Sequence, residues 1–170
     1  MQVRRATLED AEEIMRIYNT EVTGSLVTFD MVARNLNEQR SWILSHQGAY
    51  PAIVALEAPR PNASNHLQPL AGFAALSPYR ERPAYSTTVE DSVYVDKEWR
   101  GKGVGKLLLT ELVKLATAHG FHSIIARTVR ENESSIALHK SCGFEVVGTE
   151  IQVGRKFGHW LDVVVLQKLL

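Results

Sequence analysis

The chain has 170 residues, enough for one hydrophobic core and too few for two ordinary domains. Its apolar and charged fractions, 45% and 22%, are those of a globular protein rather than a disordered or coiled-coil one. Positive and negative side chains cancel to a formal net charge of zero, which argues against a nucleic-acid surface with its clustered cationic excess but leaves room for a local basic site.

Residues 2–6 read as a strand, and Thr7 with Asp10 resembles a capping box ahead of Ala11, Ile14, Met15 and Tyr18, whose spacing predicts a helix over about 8–19. A second helix is expected to start near Asp30 and to carry Val32, Leu36 and Ile43, followed by a buried strand over 51–56. The stretch 58–65, rich in Pro, Asn and Ser, reads as a loop, and strand character resumes over 70–76. Then come a strand over 88–96, a Leu- and Val-rich helix over 104–118, a strand over 122–128 and a helix over 133–142. Gly143 closes that helix as a left-handed cap, and two strands near 144–153 and 160–168 end the chain. This order predicts one α/β domain over 1–170, a mixed sheet of about seven strands with about four helices.

No stretch approaches the roughly 20 apolar residues of a membrane span, and no apolar segment follows Met1–Arg5 as a leader would require. Cys142 is the only cysteine, so no intramolecular disulfide forms and a reducing, cytoplasmic setting is expected. Cys142 itself is expected to be a buried, inert thiol. The histidines outside the helix at 133–142 (His46, His66, His119, His122 and His159) lack metal-ligand spacing, and no metal is expected.

The chemistry concentrates in the second half. A strand ending Val93-Tyr94-Val95 runs into Arg100-Gly101-Lys102-Gly103-Val104-Gly105-Lys106 and at once into a helix. Glycines allow the backbone amides a close approach, and the helix N-terminus favours negative charge, so the turn suits a pyrophosphate. Arg100, Lys102 and Lys106 would add charge-assisted contacts. The turn is not a Walker loop, because Arg100 stands at the first glycine position and Leu107 at the hydroxyl position. Nor is it a dinucleotide fingerprint, because Lys106 replaces the third glycine.

The pattern Arg100-x-x-Gly103-x-Gly105 resembles the pyrophosphate loop of the GNAT acetyltransferases, and Asn132-x-x-Ser135-x-x-x-His139-x-x-x-Gly143-Phe144 resembles their second signature. Further runs are similar to the phosphinothricin and methionine-sulfoximine acetyltransferase group: Thr28-Phe29-Asp30, Tyr79 to Tyr85, Thr88 to Val95, and Gly154-x-Lys156-x-Gly158-x-Trp160-x-Asp162. The resemblance implies the GNAT fold with a largely antiparallel sheet. It implies acetyl-CoA as co-substrate, a small amino acid or amino-acid analogue as acceptor of the acetyl group, and a homodimer. The alternatives left open are acetylation of a protein N-terminus or lysine, and a non-catalytic acetyl-CoA binding module.

An ammonium must lose a proton before its nitrogen can attack a thioester, and a carboxylate can take that proton directly or through water. Strand alternation places Thr88, Glu90, Ser92 and Tyr94 on one face, and Val89, Asp91, Val93 and Val95 on the other. Glu90 matches the general-base position of the resembling enzymes. Asp91, among three valines, suggests a β-bulge near 91–92. The backbone of Val93, Tyr94 and Val95 would meet the pantetheine arm, with Asn132 and Ser135 at the start of the next helix. His139 stands where many members of the family carry a tyrosine that protonates the departing thiolate, and the resemblance implies for it either that role or a hydrogen bond to the cofactor. Arg80 and Arg82 are the candidate forks for a carboxylate, Phe29 and Tyr85 the candidate pocket walls, and Lys156 a candidate closing residue, in its own or a neighbouring subunit. Trp160 and Asp162 are read as structural.

Overall fold

The computed structural model describes residues 1–57 and 69–170, so the loop expected at 58–65 lies outside the described residues. The strands are β1 (Gln2–Arg5), β2 (Ala52–Leu56), β3 (Leu70–Pro78), β4 (Thr88–Val95), β5 (Ser123–Val129), β6 (Glu145–Lys156) and β7 (His159–Leu169). The helices are α1 (Ala11–Gly24), α2 (Leu36–Ser45), α3 (Val104–Ala118) and α4 (Glu133–Ser141). The strands form one sheet in the order β1-β2-β3-β4-β5-β7-β6, antiparallel at every step except β4 against β5.

The sheet separates two apolar layers. On one face Ala11, Ile14, Ile17 and Val22 of α1 and Ile43 of α2 pack on Val54, Leu56, Leu70 and Phe73. On the other, Val104, Leu108, Leu109 and Leu112 of α3 pack on Ala74, Leu76, Val89, Ile124 and Leu166. These side chains are almost wholly removed from water, and each aliphatic one contributes about 1.5–3 kcal/mol of burial. None of the helices among the described residues is long and apolar enough to cross a membrane.

At the N-terminus the Asp10 carboxylate accepts the Thr7 backbone N–H at 2.8 Å and a two-point contact from Arg4 at 2.7 and 2.8 Å. The helix after it begins at Ala11 and runs five residues past the expected end, to Gly24, because Ile17, Tyr18 and Val22 continue its apolar stripe into the core. The second helix is shorter than its apolar spacing suggests. It starts at Leu36, where Asn35 and Glu38 exchange side-chain-to-backbone hydrogen bonds at 3.0 and 2.8 Å, and Val32 lies exposed before it. The expected bulge near 91–92 is absent: β3 and β4 pair residue for residue from Gly72↔Val95 to Pro78↔Val89. Cys142 is half-buried rather than buried.

β3 leaves no room for a side chain at Gly72, where a Cβ would stand 2.6 Å from the Tyr94 carbonyl oxygen and 3.2 Å from the Val95 Cα. Gly72→Ala must push β4 away from β3 next to Tyr94 and Val95, and overpacking of this kind costs about 1–3 kcal/mol. Thermal unfolding of this variant is expected to show a lowered midpoint; an unchanged midpoint would mean that the two strands slide apart freely.

Candidate active site

β4 and β5 pair only over Thr88–Glu90 and Ser123–Ile125. Beyond Glu90, β4 keeps β3 as its neighbour and β5 keeps β7, so a wedge opens between two parallel strands. The Asp96 N–H donates to Ala71 O at 3.0 Å in the β3–β4 register. Alternation then turns the peptide groups of Tyr94, Ser92 and Glu90 toward β3 and those of Val93 and Val95 toward the wedge. Two cavities fill the wedge, of about 470 Å³ and about 320 Å³. Both are lined by Val27, Val93, Tyr94, Asn132 and Ser135, which makes them two chambers of one groove.

The larger chamber is walled by Val95, Arg100, Gly101, Gly103, Val104, Gly105, Lys106, Ser134 and Leu138. Gly103 caps α3 with φ 83°, and Gly101 has φ 73°, backbone that side chains disfavour. The first amides of α3 therefore face the chamber without helical partners, and an anion is favoured there. Asn132 Oδ1 accepts the Ser135 N–H at 3.2 Å, which brings a second helix N-terminus, that of α4, to the same wall. These open amides, with Lys106 beside them, fit the pyrophosphate of coenzyme A, and the outward peptides of Val93 and Val95 fit its amide-bearing arm. Arg100 lines this chamber, and its guanidinium binds the buried Glu21 at 2.6 Å and the Val95 carbonyl at 3.3 Å. The Lys102 ammonium lies over the Trp99 ring, 4.9 Å from its centre.

The smaller chamber is walled by Thr28, Phe29, Glu90, Asp91, Ser92, Arg127, Thr128 and His139, among others. Burial pushes the Glu90 carboxyl above its ordinary value of 4.5, with Asp91 and Glu150 adding to the rise and Arg127 and Arg80 opposing it. Such a group is a better proton acceptor than an exposed carboxylate. Phe29 reaches the chamber from the α1–α2 loop, and its ring lies against Gly154, whose added Cβ would come within 2.4 Å of it.

Asp91 and His139 meet on the other face of β4. The carboxylate, 1% exposed, faces the ring, 6% exposed, with Oδ2 3.0 Å from Nε2. The Nδ1 atom is 2.7 Å from the Ser135 carbonyl, a group that can only accept. Both ring nitrogens thus face acceptors, an arrangement that suits the doubly protonated imidazolium. Burial pulls the ring's pKa down, but the Asp91 hydrogen bond and charge and the Ser135 carbonyl outweigh it, and the net direction is up. The valine-lined face of β4 carries an acid because α4 brings it a partner.

Other residues singled out from the sequence stand outside both chambers. Arg80 and Arg82 are exposed, Arg80 over the Tyr79 ring at 4.9 Å, and Tyr85 packs edge-on to Tyr79. Lys156 is 2% exposed and donates to the Thr28 carbonyl at 2.8 Å within the same chain. Sequence reasoning missed Arg127, Thr128 and the Arg100–Glu21 pair. A polar residue inside the apolar run 123–129 was the signal for Arg127.

Comparison with known proteins agrees with this geometry. The phosphinothricin N-acetyltransferase of Streptomyces coelicolor is 38% identical over 100% of this chain and 96% of its own length. Among solved structures, a ribosomal-protein-alanine N-acetyltransferase from Brucella melitensis aligns at 35% identity over all of both chains with a TM-score of 0.90. A GNAT superfamily phosphinothricin acetyltransferase from Sinorhizobium meliloti, in complex with acetyl-CoA, aligns at 37% identity over 99% of this chain and 88% of its own, with a TM-score of 0.87. Residues 12–144 match the sequence profile of the acetyltransferase (GNAT) family, and the chain is a member of that family, an N-acetyltransferase that uses acetyl-CoA.

Proposed function

We propose that this enzyme acetylates the primary amine of a small amino acid or amino-acid analogue, of the phosphinothricin and methionine sulfone or sulfoximine type, by direct transfer. The observation that carries this reading is a small chamber with a half-buried carboxylate, Glu90, joined edge to edge with the amide-lined chamber at the start of α3. Acetyl-CoA supplies the activated acetyl thioester. Val104, Gly105 and Lys106 hold the pyrophosphate, and the Val93 and Val95 peptides align the arm so that its end points along β4 toward Glu90. An N–H from the same strand edge is available to polarise the thioester carbonyl.

Glu90 removes one proton from the bound ammonium, directly or through a water. The freed nitrogen bonds the acetyl carbon as the carbon–sulfur bond breaks, and the remaining excess proton passes to the sulfur, so charges balance without a covalent enzyme intermediate. Asp91 and the Ser135 carbonyl hold both ring nitrogens of His139, and the pair is assigned to docking α4 against β4 rather than to donating a proton. Phe29 walls the acceptor, Lys156 holds that wall through Thr28, and Arg80, Arg82 and Tyr85 form the outer approach.

A peptide N-terminus as acceptor is the second reading, supported by the likeness to the ribosomal-protein-alanine N-acetyltransferase of Brucella melitensis; the size of the Glu90 chamber favours the smaller acceptor. A homodimer is supported by Val146, Val147, Ile151 and Val153, large apolar side chains left exposed on the edge strand β6. The lone cysteine supports a cytoplasmic setting.

Release of free thiol from acetyl-CoA is expected with methionine sulfone, phosphinothricin or a common amino acid. Release only with an alanine-terminated peptide would move the assignment to proteins, and tight cofactor binding without any release would leave a binding module. Glu90→Gln is expected to lower kcat by about 10²–10⁴-fold. In the wild type, kcat/KM falls as pH drops through the raised Glu90 value, above 4.5; an acid limb at or below 4.5 would remove Glu90 as the base.

The Asp91–His139 pair also makes stability depend on pH. The folded His139 value lies above the ordinary 6.5, so the pair's stabilisation is complete below that value and is lost as pH rises through the folded one. Asp91→Asn is expected to cost about 2 kcal/mol at about pH 6 and less at about pH 9, read from denaturant midpoints. A difference that stays constant with pH would mean that the ring is neutral throughout. Light scattering at micromolar concentration is expected to give twice the monomer mass, and a monomer would leave β6 without a partner.

A further inference from the structure

The two guanidinium groups that the sequence offers to an anionic acceptor, Arg80 and Arg82, do not line the acceptor chamber, but a third does. Arg127 lies on β5 and forms part of the wall that holds Glu90. Glu90 pairs with Ile125, so Arg127, two residues on, shares its face of the sheet with Glu90. The two are diagonal neighbours on adjacent strands, a relation that long side chains bridge. Arg127 exerts the largest charge effect that opposes the upward shift of the Glu90 carboxyl, ahead of Arg80.

The guanidinium is also held in place. Glu150, on β6 beyond β7, accepts a hydrogen bond from one of its terminal nitrogens. A guanidinium carries five N–H donors, and no other acceptor meets the fork among the described residues. The floor therefore reads, from β4 outward, carboxylate, guanidinium, carboxylate. An α-amino acid presents an ammonium and a carboxylate on one carbon. Set on this floor, its ammonium faces Glu90, and its carboxylate faces the open edge of Arg127, where a planar fork makes a two-point contact.

We infer that Arg127 anchors the carboxylate of the acceptor and is the residue that makes this enzyme select α-amino acids over simple amines. The inference rests on the function proposed above and assigns the anionic end of the substrate, for which that proposal names no partner. Glu150 is the positioning residue: it fixes the fork without reaching the chamber.

The test compares L-methionine sulfone with 3-(methylsulfonyl)propan-1-amine, the same molecule without its carboxylate, in wild type, Arg127→Met and Arg127→Lys. Arg127→Met is expected to raise KM for the amino acid by about 10–100-fold with kcat little changed, the pattern of a lost ground-state contact. Because Arg127 also acts on Glu90, both compounds are compared on the pH plateau of each variant, above the acid limb, where the loss for the simple amine should be at least about 10-fold smaller than the loss for the amino acid. Arg127→Lys should fall between, because it keeps the charge and loses the fork. Acetyl-CoA affinity from calorimetry and the thermal unfolding midpoint report that each variant is folded. Equal losses for both compounds, or no loss for the amino acid, overturns the assignment and leaves the proposed function standing. A wild type that acetylates no amino acid at all overturns both.

Discussion

The site exists because two parallel strands stop pairing. After Glu90, β4 and β5 each keep one neighbour and lose the other. A sheet with unpaired peptide groups in its interior is costly, since a buried amide without a partner forfeits a hydrogen bond. The fold tolerates the gap by lining it with groups that a ligand satisfies: the Val93 and Val95 peptides along one edge and the first turns of α3 and α4 across the mouth. In the binding mode proposed above, the cofactor completes the sheet from outside.

The same parting explains how neighbouring acids serve different ends. Glu90 and Asp91 are consecutive, so the pleat sends them to opposite faces. Glu90 turns toward the open face with Arg127, where burial without a direct partner raises its carboxyl. Asp91 turns under the sheet to α4, where His139 neutralises it and leaves its Oδ1 atom buried without a protein partner. One carboxylate is poised to take a proton while the other is tied to a ring that already carries one.

Much of this was legible in the sequence. Period-2 and helical spacing placed the strands and helices close to their observed bounds, and the glycine turn, the Asn132 cap and the outward role of Glu90 follow from local chemistry. The errors share a cause. Apolar spacing alone put the start of α2 near Asp30, whereas the reciprocal Asn35–Glu38 capping starts the helix at Leu36. Asp91 reads as a misfit on an apolar face because its partner lies 48 residues on, and the contact of Arg100 with Glu21, 79 residues away, has no local signal. Arg127 was invisible as a site residue until the register set it two positions past Glu90's partner. Local spacing carries secondary structure; which charges meet is decided by tertiary pairing.

The wall of the acceptor chamber has an unusual origin in the order of the chain. Thr28 and Phe29 belong to an early loop, yet Lys156 grips the Thr28 carbonyl across 128 residues and the Phe29 ring rests on Gly154. A chain emerging from the ribosome folds from its N-terminus, so the nucleotide cradle at 100–106 is synthesised before the hairpin that steadies this wall. A nascent chain paused after α4 would own every cofactor group and lack a finished acceptor chamber. The residues that line the donor chamber thus precede in the chain those that close the acceptor chamber, and the last hairpin, which also sets Leu166 under α3, is the clasp that completes both.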